Sequence, residues 1–409
     1  MAYIKRAMED TFMRMNKEFP VILLTGPRQA GKTTMLQKLS AQDNIKREYI
    51  TLDDLTERNM AKNDPKMFLQ IHRPPVLIDE VQYAPELFPY IKIYVDQHQN
   101  PGDFWLTGSQ VFKLMDGVQE SLAGRICLLH MPPMSQAEIN GVASVPFEVN
   151  LEKLIERARV NTVLDIPSLF ERIFRGSMPA LAGGRYTEHS AVYSSYIATY
   201  LDRDVKDISG TVDSLKFMNF ITAAAALTGQ MLNYKTIADA ADISVVTVKN
   251  WLGILERLGI IFYLHPYSNN LLKRMVTKPK LYFYDCGLVS YLTKWSDGQT
   301  LMNGAMSGAI LENFAVSEIV KSYQNAGQEP HIYYYRDRDS KEIDIILECN
   351  GCLSPLEIKK TSLPDKRLVK VFALLGKSGM QIGRGGVLCM SDKLSAFDEN
   401  NLIIPVWAI

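Results

Sequence analysis

Along the first third of the chain, short apolar runs alternate with longer segments that are polar on one side. The runs are Val21–Leu24, Glu48–Leu52, Pro75–Ile78, Phe104–Leu106 and Ile126–His130, and each intervening segment is long enough for a helix. Strand and helix in alternation predict a doubly wound α/β unit with a parallel sheet. Pro132-Pro133 then punctuates the chain, and from Met134 to Gly210 the spacing turns helical, with amphipathic stretches at Leu151–Val160 and Tyr193–Asp207. Helical spacing continues from Thr211 until a strand-like run at Gly259–Leu264, and mixed helix and strand patterns follow Tyr267 to the end.

The first run leads into Gly26-Pro27-Arg28-Gln29-Ala30-Gly31-Lys32-Thr33-Thr34, which fits G-x-x-x-x-G-K-[ST] with a strand before it and a helix after it. Glycines let such a loop wrap tightly, so its backbone N–H groups point at phosphate oxygens. Lys32 is expected to bring positive charge to the β- and γ-phosphates of ATP, and Thr33 a hydroxyl to Mg²⁺. The run Val76-Leu77-Ile78 ends in Asp79-Glu80. Carboxylates at the carboxyl end of a parallel strand face the ligand side of the sheet. Asp79 is expected to support the metal, and Glu80 to polarise the attacking water. The bland alternative is that the two acids only cap the next helix. Ser109 or Thr107, at the tip of the following strand, is the candidate to sense the γ-phosphate. Arg125 is either an arginine finger, acting in cis or from a second copy in a homo-oligomer, or a surface arginine paired with a carboxylate.

GPRQAGKTT, VLIDEVQ, FWLTGSQ and ESLAGR together resemble the AAA-type branch of P-loop ATPases. YLDRDVKDI, TVKNWLGILERLGIIFYL and KPKLYFYDCGL further downstream are similar to prokaryotic ATP-binding proteins of that branch that carry an uncharacterised C-terminal domain. The resemblance implies ATP as cofactor and ATP hydrolysis as activity.

Tyr234–Ala241 reads as a short helix, Asp242-Ile243-Ser244 as a turn, and Val245–Leu258 as a second helix stopped by Gly259 before IIFYL. Helix, turn, helix and strand are the pattern of a winged helix-turn-helix. Val246, Thr247, Lys249 and Asn250 lie where a DNA reader places its base contacts. The second helix offers few cations for phosphates, so docking on a protein stands beside docking on DNA.

Near the C-terminus, Asn350-Gly351 marks a hairpin turn between two strand-like runs. The first strand carries Asp344; the second carries Glu357 and Lys359, which alternation puts on one face. Glu312, on an earlier helix spanning Gly308–Val320, offers a third acid. Two carboxylates and a lysine can hold Mg²⁺ and position water. Glu312, Asp344, Glu357 and Lys359 resemble the PD-(D/E)xK nuclease-like (restriction-endonuclease-like) fold, with Ile343 where some members have proline. That resemblance implies either a metal-dependent nuclease or a degenerate fold that only binds nucleic acid. Cys349 and Cys352 flank the turn and lack the further ligands of a zinc site.

The full expectation is an α/β protein with a P-loop AAA-type domain at 1–140 and a helical connector at 141–210. A winged helix follows at 211–268 and a nuclease-like domain at 269–409. The chain has 409 residues, with 45 Lys+Arg against 45 Asp+Glu. Zero net charge means that only local clusters can support DNA binding. Five cysteines build no disulfide framework, no run reaches the roughly 18–20 apolar residues of a membrane span, and the charged N-terminus lacks the apolar segment of a secretory leader. A cytoplasmic setting without membrane partners is expected.

Overall fold

The computed structural model describes residues 3–108, 122–201, 205–206, 210, 213–268, 278–337 and 339–409. Helix α1 (Met8–Met15) precedes β1 (Val21–Thr25), and α2 (Lys32–Gln42) follows it. With β2 (Glu48–Thr51), β3 (Val76–Asp79), β4 (Phe104–Thr107) and β5 (Ile126–His130), β1 forms a five-stranded sheet in the order β2-β3-β4-β1-β5. All of its pairings are parallel. The central strands are apolar without interruption because both faces are covered. Val21 and Leu23 pack with Ile78 and Leu106 on one face; Ile22 and Leu24 pack with Leu77 and Trp105 on the other.

After β5 come helices at Gln136–Asn140, Leu151–Val160, Ile166–Arg175, Pro179–Ala182 and His189–Tyr196, and further along α3 (Ser214–Ala226), α4 (Tyr234–Ala241) and α5 (Val245–Arg257), followed by the antiparallel pair β6 (Ile261–Pro266) and β7 (Lys280–Phe283). Asn233 caps α4, Ser244 caps α5, and Asp242 makes the turn between them in the left-handed region at φ 52°. Helix α6 (Ser307–Asn325) is buried along most of its length. It lies beneath a nine-stranded sheet to which β8 (Ile332–Arg336), β9 (Glu342–Cys349), β10 (Cys352–Lys359), β11 (Gln381–Ile382), β12 (Gly385–Cys389), β13 (Ser395–Ala396) and β14 (Asn401–Pro405) belong.

This sheet crosses the boundary expected at 268/269. β6 pairs with β7 in an antiparallel sense and with β8 in parallel, through His265↔Tyr333 and Pro266↔Tyr334. One continuous core accordingly runs from Phe147 through α3, α5 and α6 to Ile409. Strands begin at β6, within the strand-like run at Gly259–Leu264, and β6 joins the regions on either side of 268/269. Among the described residues, no helix is long and apolar enough to cross a membrane.

Candidate functional site

The loop after β1 needs glycine at two points. Gly26 has φ 140°, and a Cβ there would sit 2.3 Å from the carbonyl oxygen of Met131; Gly31 has φ 93° and caps α2. Lys32 is 6% exposed, and its ammonium donates to the carbonyls of Gly26 and Pro27, each at 2.9 Å. The N–H groups of Thr33 and Thr34 belong to the first turn of α2, where backbone donors lack helical partners. His130 ends the neighbouring strand. Desolvation, with the nearby Lys32 ammonium, pushes its imidazole down to about 4, so it stays neutral.

Three hydroxyls converge on Asp79. Thr33 donates to it at 2.9 and 3.1 Å and Tyr49 at 3.1 Å, and Thr107 donates as well. Glu80 turns out of the strand at φ 57°, a left-handed conformation that is costly for a residue with a side chain. Its N–H donates to Thr107 Oγ1 at 3.3 Å, and the Gln82 amide donates to its carboxylate. Thr107 is fully buried and committed to these two acids. Ser109 lies outside the described residues. The structure therefore brings Lys32, Thr33, Asp79 and Glu80 together at the carboxyl ends of β1 and β3.

Arg125 is not part of this assembly. The register Val21↔Ile126 puts it just before β5, at the opposite end of the sheet from the phosphate loop. Five residues of strand separate the two, about 15 Å. Its guanidinium pairs with Asp96 and donates to the Ala123 carbonyl at 3.1 Å.

The spacing of the motif gave no sign of Arg6. This residue is 2% exposed; it donates to the Ala30 carbonyl, to the Pro132 carbonyl at 2.8 Å and to Glu138 Oε1 at 2.8 Å. In a trans peptide the carbonyl and the following N–H point in opposite directions. Arg6 on the Ala30 oxygen therefore turns the Gly31 N–H away from itself. Burial raises the Glu138 pKa, but the Arg6 charge and hydrogen bonds from Arg6, Ser135 and Ala7 outweigh it, so the net shift is downward. The segment after Pro132 continues to α6, where Glu318 accepts from the Gln136 N–H at 2.7 Å and Lys321 donates to the Met134 carbonyl at 3.1 Å.

The end of α5 also meets the loop. Gly259 sits at φ 70°, and a Cβ there would lie 2.9 Å from His130 Nε2 and 3.1 Å from Pro27 Cδ. At the other end of the helix, Val246, Lys249 and Asn250 are exposed, while the Thr247 hydroxyl is engaged with Ser244 at 2.9 Å.

A second cluster forms where α6, β7, β9 and β10 meet. Lys359 bonds Asp344 at 3.0 Å and Glu357 at 2.7 Å, and the Ile358 N–H donates to Asp344 at 2.8 Å. Lys280 is 3% exposed and bonds Glu312 at 3.0 Å and Glu342 at 2.5 Å; the Tyr282 hydroxyl donates to Glu312 at 2.6 Å. Burial, then the charge of Asp344, pushes Glu357 up to about 8. Burial also raises Glu312, and the Asp344 charge adds to this against the pull of Lys280. For Lys359 burial favours loss of the proton, but Asp344 and Glu357 reverse that and hold the ammonium charged. Glu357 Oε1 is buried without a partner among the described residues. Lysines stand between the carboxylates, and among the described residues no three acidic, histidine or cysteine groups gather at metal-binding spacing. Cys349 and Cys352 face each other across the β9–β10 pair as free thiols.

The chain has structural similarity to a Walker-type ATPase of Pyrococcus abyssi, with TM-score 0.43, 14% identity, and 70% of this chain and 95% of that one covered. For the RuvB Holliday junction branch migration motor of Thermotoga maritima the figures are 0.30, 15%, 63% and 85%. In sequence, uncharacterized proteins of Mycobacterium tuberculosis and Mycobacterium bovis are each 28% identical over 349 residues, 85% of this chain and 71% of theirs. An uncharacterized protein of Methanocaldococcus jannaschii is 23% identical over 339 residues, 74% of this chain and 68% of its own. Residues 166–299 and 307–409 match two domains of unknown function (DUF8612 and DUF4143). Residues 18–140 match the AAA domain, the segment that holds the phosphate loop, Asp79 and Glu80. The N-terminal region is a P-loop ATPase-like domain.

Proposed function

We propose that the chain is a Mg²⁺-dependent ATPase whose nucleotide cycle is coupled to DNA binding, with nuclease chemistry at the carboxylate cluster. The observation that carries this reading is the convergence of Lys32, Thr33, Asp79 and Glu80 on one end of the parallel sheet. Thr33 and Asp79 present hard oxygen atoms 2.9 Å apart, the donor type that suits Mg²⁺, and these two residues would hold it. Bound there, the ion would neutralise phosphate charge. Lys32 exchanges its two carbonyl acceptors for phosphate oxygens, which bind an ammonium more strongly. Glu80, oriented by Gln82, polarises the attacking water. Arg125, turned away from its own loop, serves as a finger only toward a neighbouring copy, so this role implies a homo-oligomer.

Coupling to DNA is supported by α5. Its N-terminal half exposes Val246, Lys249 and Asn250, and Gly259, two residues beyond its end, packs close to Pro27 of the phosphate loop. We read α3 to β7 as a winged helix. In the cluster, four carboxyl groups (Glu312, Glu342, Asp344, Glu357) face two ammonium groups (Lys280, Lys359). Burial and Asp344 favour the protonated form of Glu357, so a divalent ion held by Asp344 and the unpartnered Glu357 oxygen would displace that proton, with Lys359 beside the scissile phosphate. A second reading, an ATP-driven switch that docks on proteins, is favoured by Val245 and Val246, 39% and 67% exposed at the start of α5.

The test is ATP turnover and DNA integrity measured together at low and rising salt, with Glu357→Ala as control. DNA-stimulated turnover that fades with salt supports backbone contacts, and cuts lost in the variant support the nuclease centre. Turnover indifferent to DNA, with no binding at low salt, removes the DNA reading in favour of the protein switch.

A further inference from the structure

The phosphate loop is held from behind by a strap, residues 131–138, which follows β5. At the start of the loop the two lie so close that a Cβ on Gly26 would sit 2.3 Å from the Met131 carbonyl oxygen. At the end of the loop the link is Arg6, which precedes α1. Its Nη1 donates to the Ala30 carbonyl, its Nη2 to the Pro132 carbonyl at 2.8 Å and its Nε to Glu138 Oε1 at 2.8 Å. Glu138 is fixed in turn, accepting also from the Ala7 N–H at 2.8 Å and the Ser135 N–H at 2.7 Å. On its far side the strap is tied to α6. Glu318 and Lys321, an ion pair of 2.8 Å on that helix, hold the Gln136 N–H and the Met134 carbonyl.

The peptide between Ala30 and Gly31 is what this arrangement controls. Gly31 has φ 93° and no Cβ, so rotation of that peptide plane meets little steric resistance. The rotation exchanges the Ala30 carbonyl and the Gly31 N–H, which point in opposite directions. One orientation offers a phosphate an N–H donor; the other offers it a carbonyl oxygen, which repels it. Arg6 takes the Ala30 oxygen in a charge-assisted hydrogen bond, roughly twice as strong as a neutral one. A guanidinium suits this task because its rigid fork spans a carboxylate and two carbonyls at once, which an ammonium on a flexible stem does not. Arg6 is 2% exposed and directs all three nitrogens at protein oxygens, so it acts through the peptide and not on the phosphate. We propose that Arg6 is a positioning residue of the phosphate loop, which sets the Gly31 N–H for phosphate before the nucleotide arrives. Ordering done in advance does not weaken binding. This role rests on the ATPase reading above. It also seats the loop on a strap that α6, within the region of unknown function at residues 307–409, holds in place.

The experiment titrates full-length wild type, Arg6→Lys and Glu138→Asp with ATP and with inorganic tripolyphosphate in Mg²⁺ buffer, by calorimetry well below each melting temperature. Turnover of ATP by the same proteins gives kcat and KM. Arg6→Lys keeps a cation beside Glu138 and gives up the reach to Ala30. Its affinity for ATP and for tripolyphosphate should fall in parallel by about 10–100-fold, the effect of one charged hydrogen bond. KM should rise accordingly, with kcat at saturating ATP within about twofold of wild type. A residue needed only for folding would lower the melting temperature and leave the affinity of the folded protein alone. Wild-type affinity in folded Arg6→Lys therefore overturns the proposal, as does a fall in kcat with affinity unchanged. Glu138→Asp keeps both charges and draws Arg6 back from Ala30, so it should show the same parallel loss. It decides the matter if Arg6→Lys does not fold, and wild-type affinity there overturns the proposal equally. Failure of wild type to bind either ligand overturns the ATPase reading itself, and this role with it.

Discussion

In the phosphate loop, charge is set against backbone. Lys32 rests on the carbonyls of Gly26 and Pro27, and the acids beside the loop come from the tip of β3, which β4 separates from β1. In the carboxylate cluster, charge is set against charge. Lys280 on β7, Glu312 on α6, Glu342 and Asp344 on β9, and Glu357 and Lys359 on β10 hold each other in a largely buried cluster. The first arrangement is stable without its ligand, because the dipoles that hold the lysine belong to the fold. The second depends on each ion keeping its partner, because an unpaired buried charge is far more costly than an unpaired exposed one. The two regions should therefore respond to mutation in opposite ways: the loop loses activity and keeps stability, and the cluster loses stability.

The largest effect is expected in the loop region. Glu80→Gln keeps the shape and removes the basic oxygen, so turnover should fall by about 10²–10⁴-fold. Nucleotide affinity and melting temperature should change little, as read by phosphate release, nucleotide titration and thermal melts. Undiminished turnover would place the base on another residue. Next is Lys280→Met. It leaves Glu312 and Glu342 without their shared cation and should cost about 3–5 kcal/mol in urea unfolding. A variant as stable as wild type would show that the cluster is not held together by its internal ion pairs.

The smallest effect sharpens the same contrast through pH. Glu357 is raised from 4.5 to about 8 on folding. A raised carboxyl pKa gives a stabilising contribution that is complete below about pH 4.5 and is lost as pH climbs through about 8. Glu357→Gln lacks that proton linkage. Wild-type stability relative to this variant should therefore decline between pH 4.5 and about 8, measured as paired urea midpoints. A difference that stays constant across that range would mean that the Glu357 carboxyl is not held in the environment described.

Much of this was legible in the sequence wherever the determinant is local. The phosphate loop is a backbone conformation dictated by neighbouring residues, and in it Lys32 and Thr33 open α2 directly after Gly31, in the order of the motif. The Asn350-Gly351 turn was legible for the same reason, since both residues take positive φ, 51° and 75°, as the tight hairpin demands. Position across the sheet was not legible. Arg125 matches a motif, but its distance from the loop follows from the β1–β5 register. Arg6 and Glu138 lie 132 residues apart and meet only because the segment after β5 folds back over the loop. Lys280 and Tyr282 enter the cluster because β7 lies beside α6, a juxtaposition that no spacing along the chain announces. The boundary expected at 268/269 disappears for a similar reason: strand pairing joins segments that composition alone separates.

The most direct test of the account is ATP hydrolysis by wild type and Lys32→Ala under identical conditions, with melting temperature recorded for both. Lys32 is a buried cation at the loop, resting on the carbonyls of Gly26 and Pro27. The account predicts measurable Mg²⁺-dependent phosphate release by wild type and a loss of at least about 100-fold in the variant, with the fold intact. Equal release by the two proteins would contradict it, because the charge assigned to the phosphates would then do nothing for the reaction.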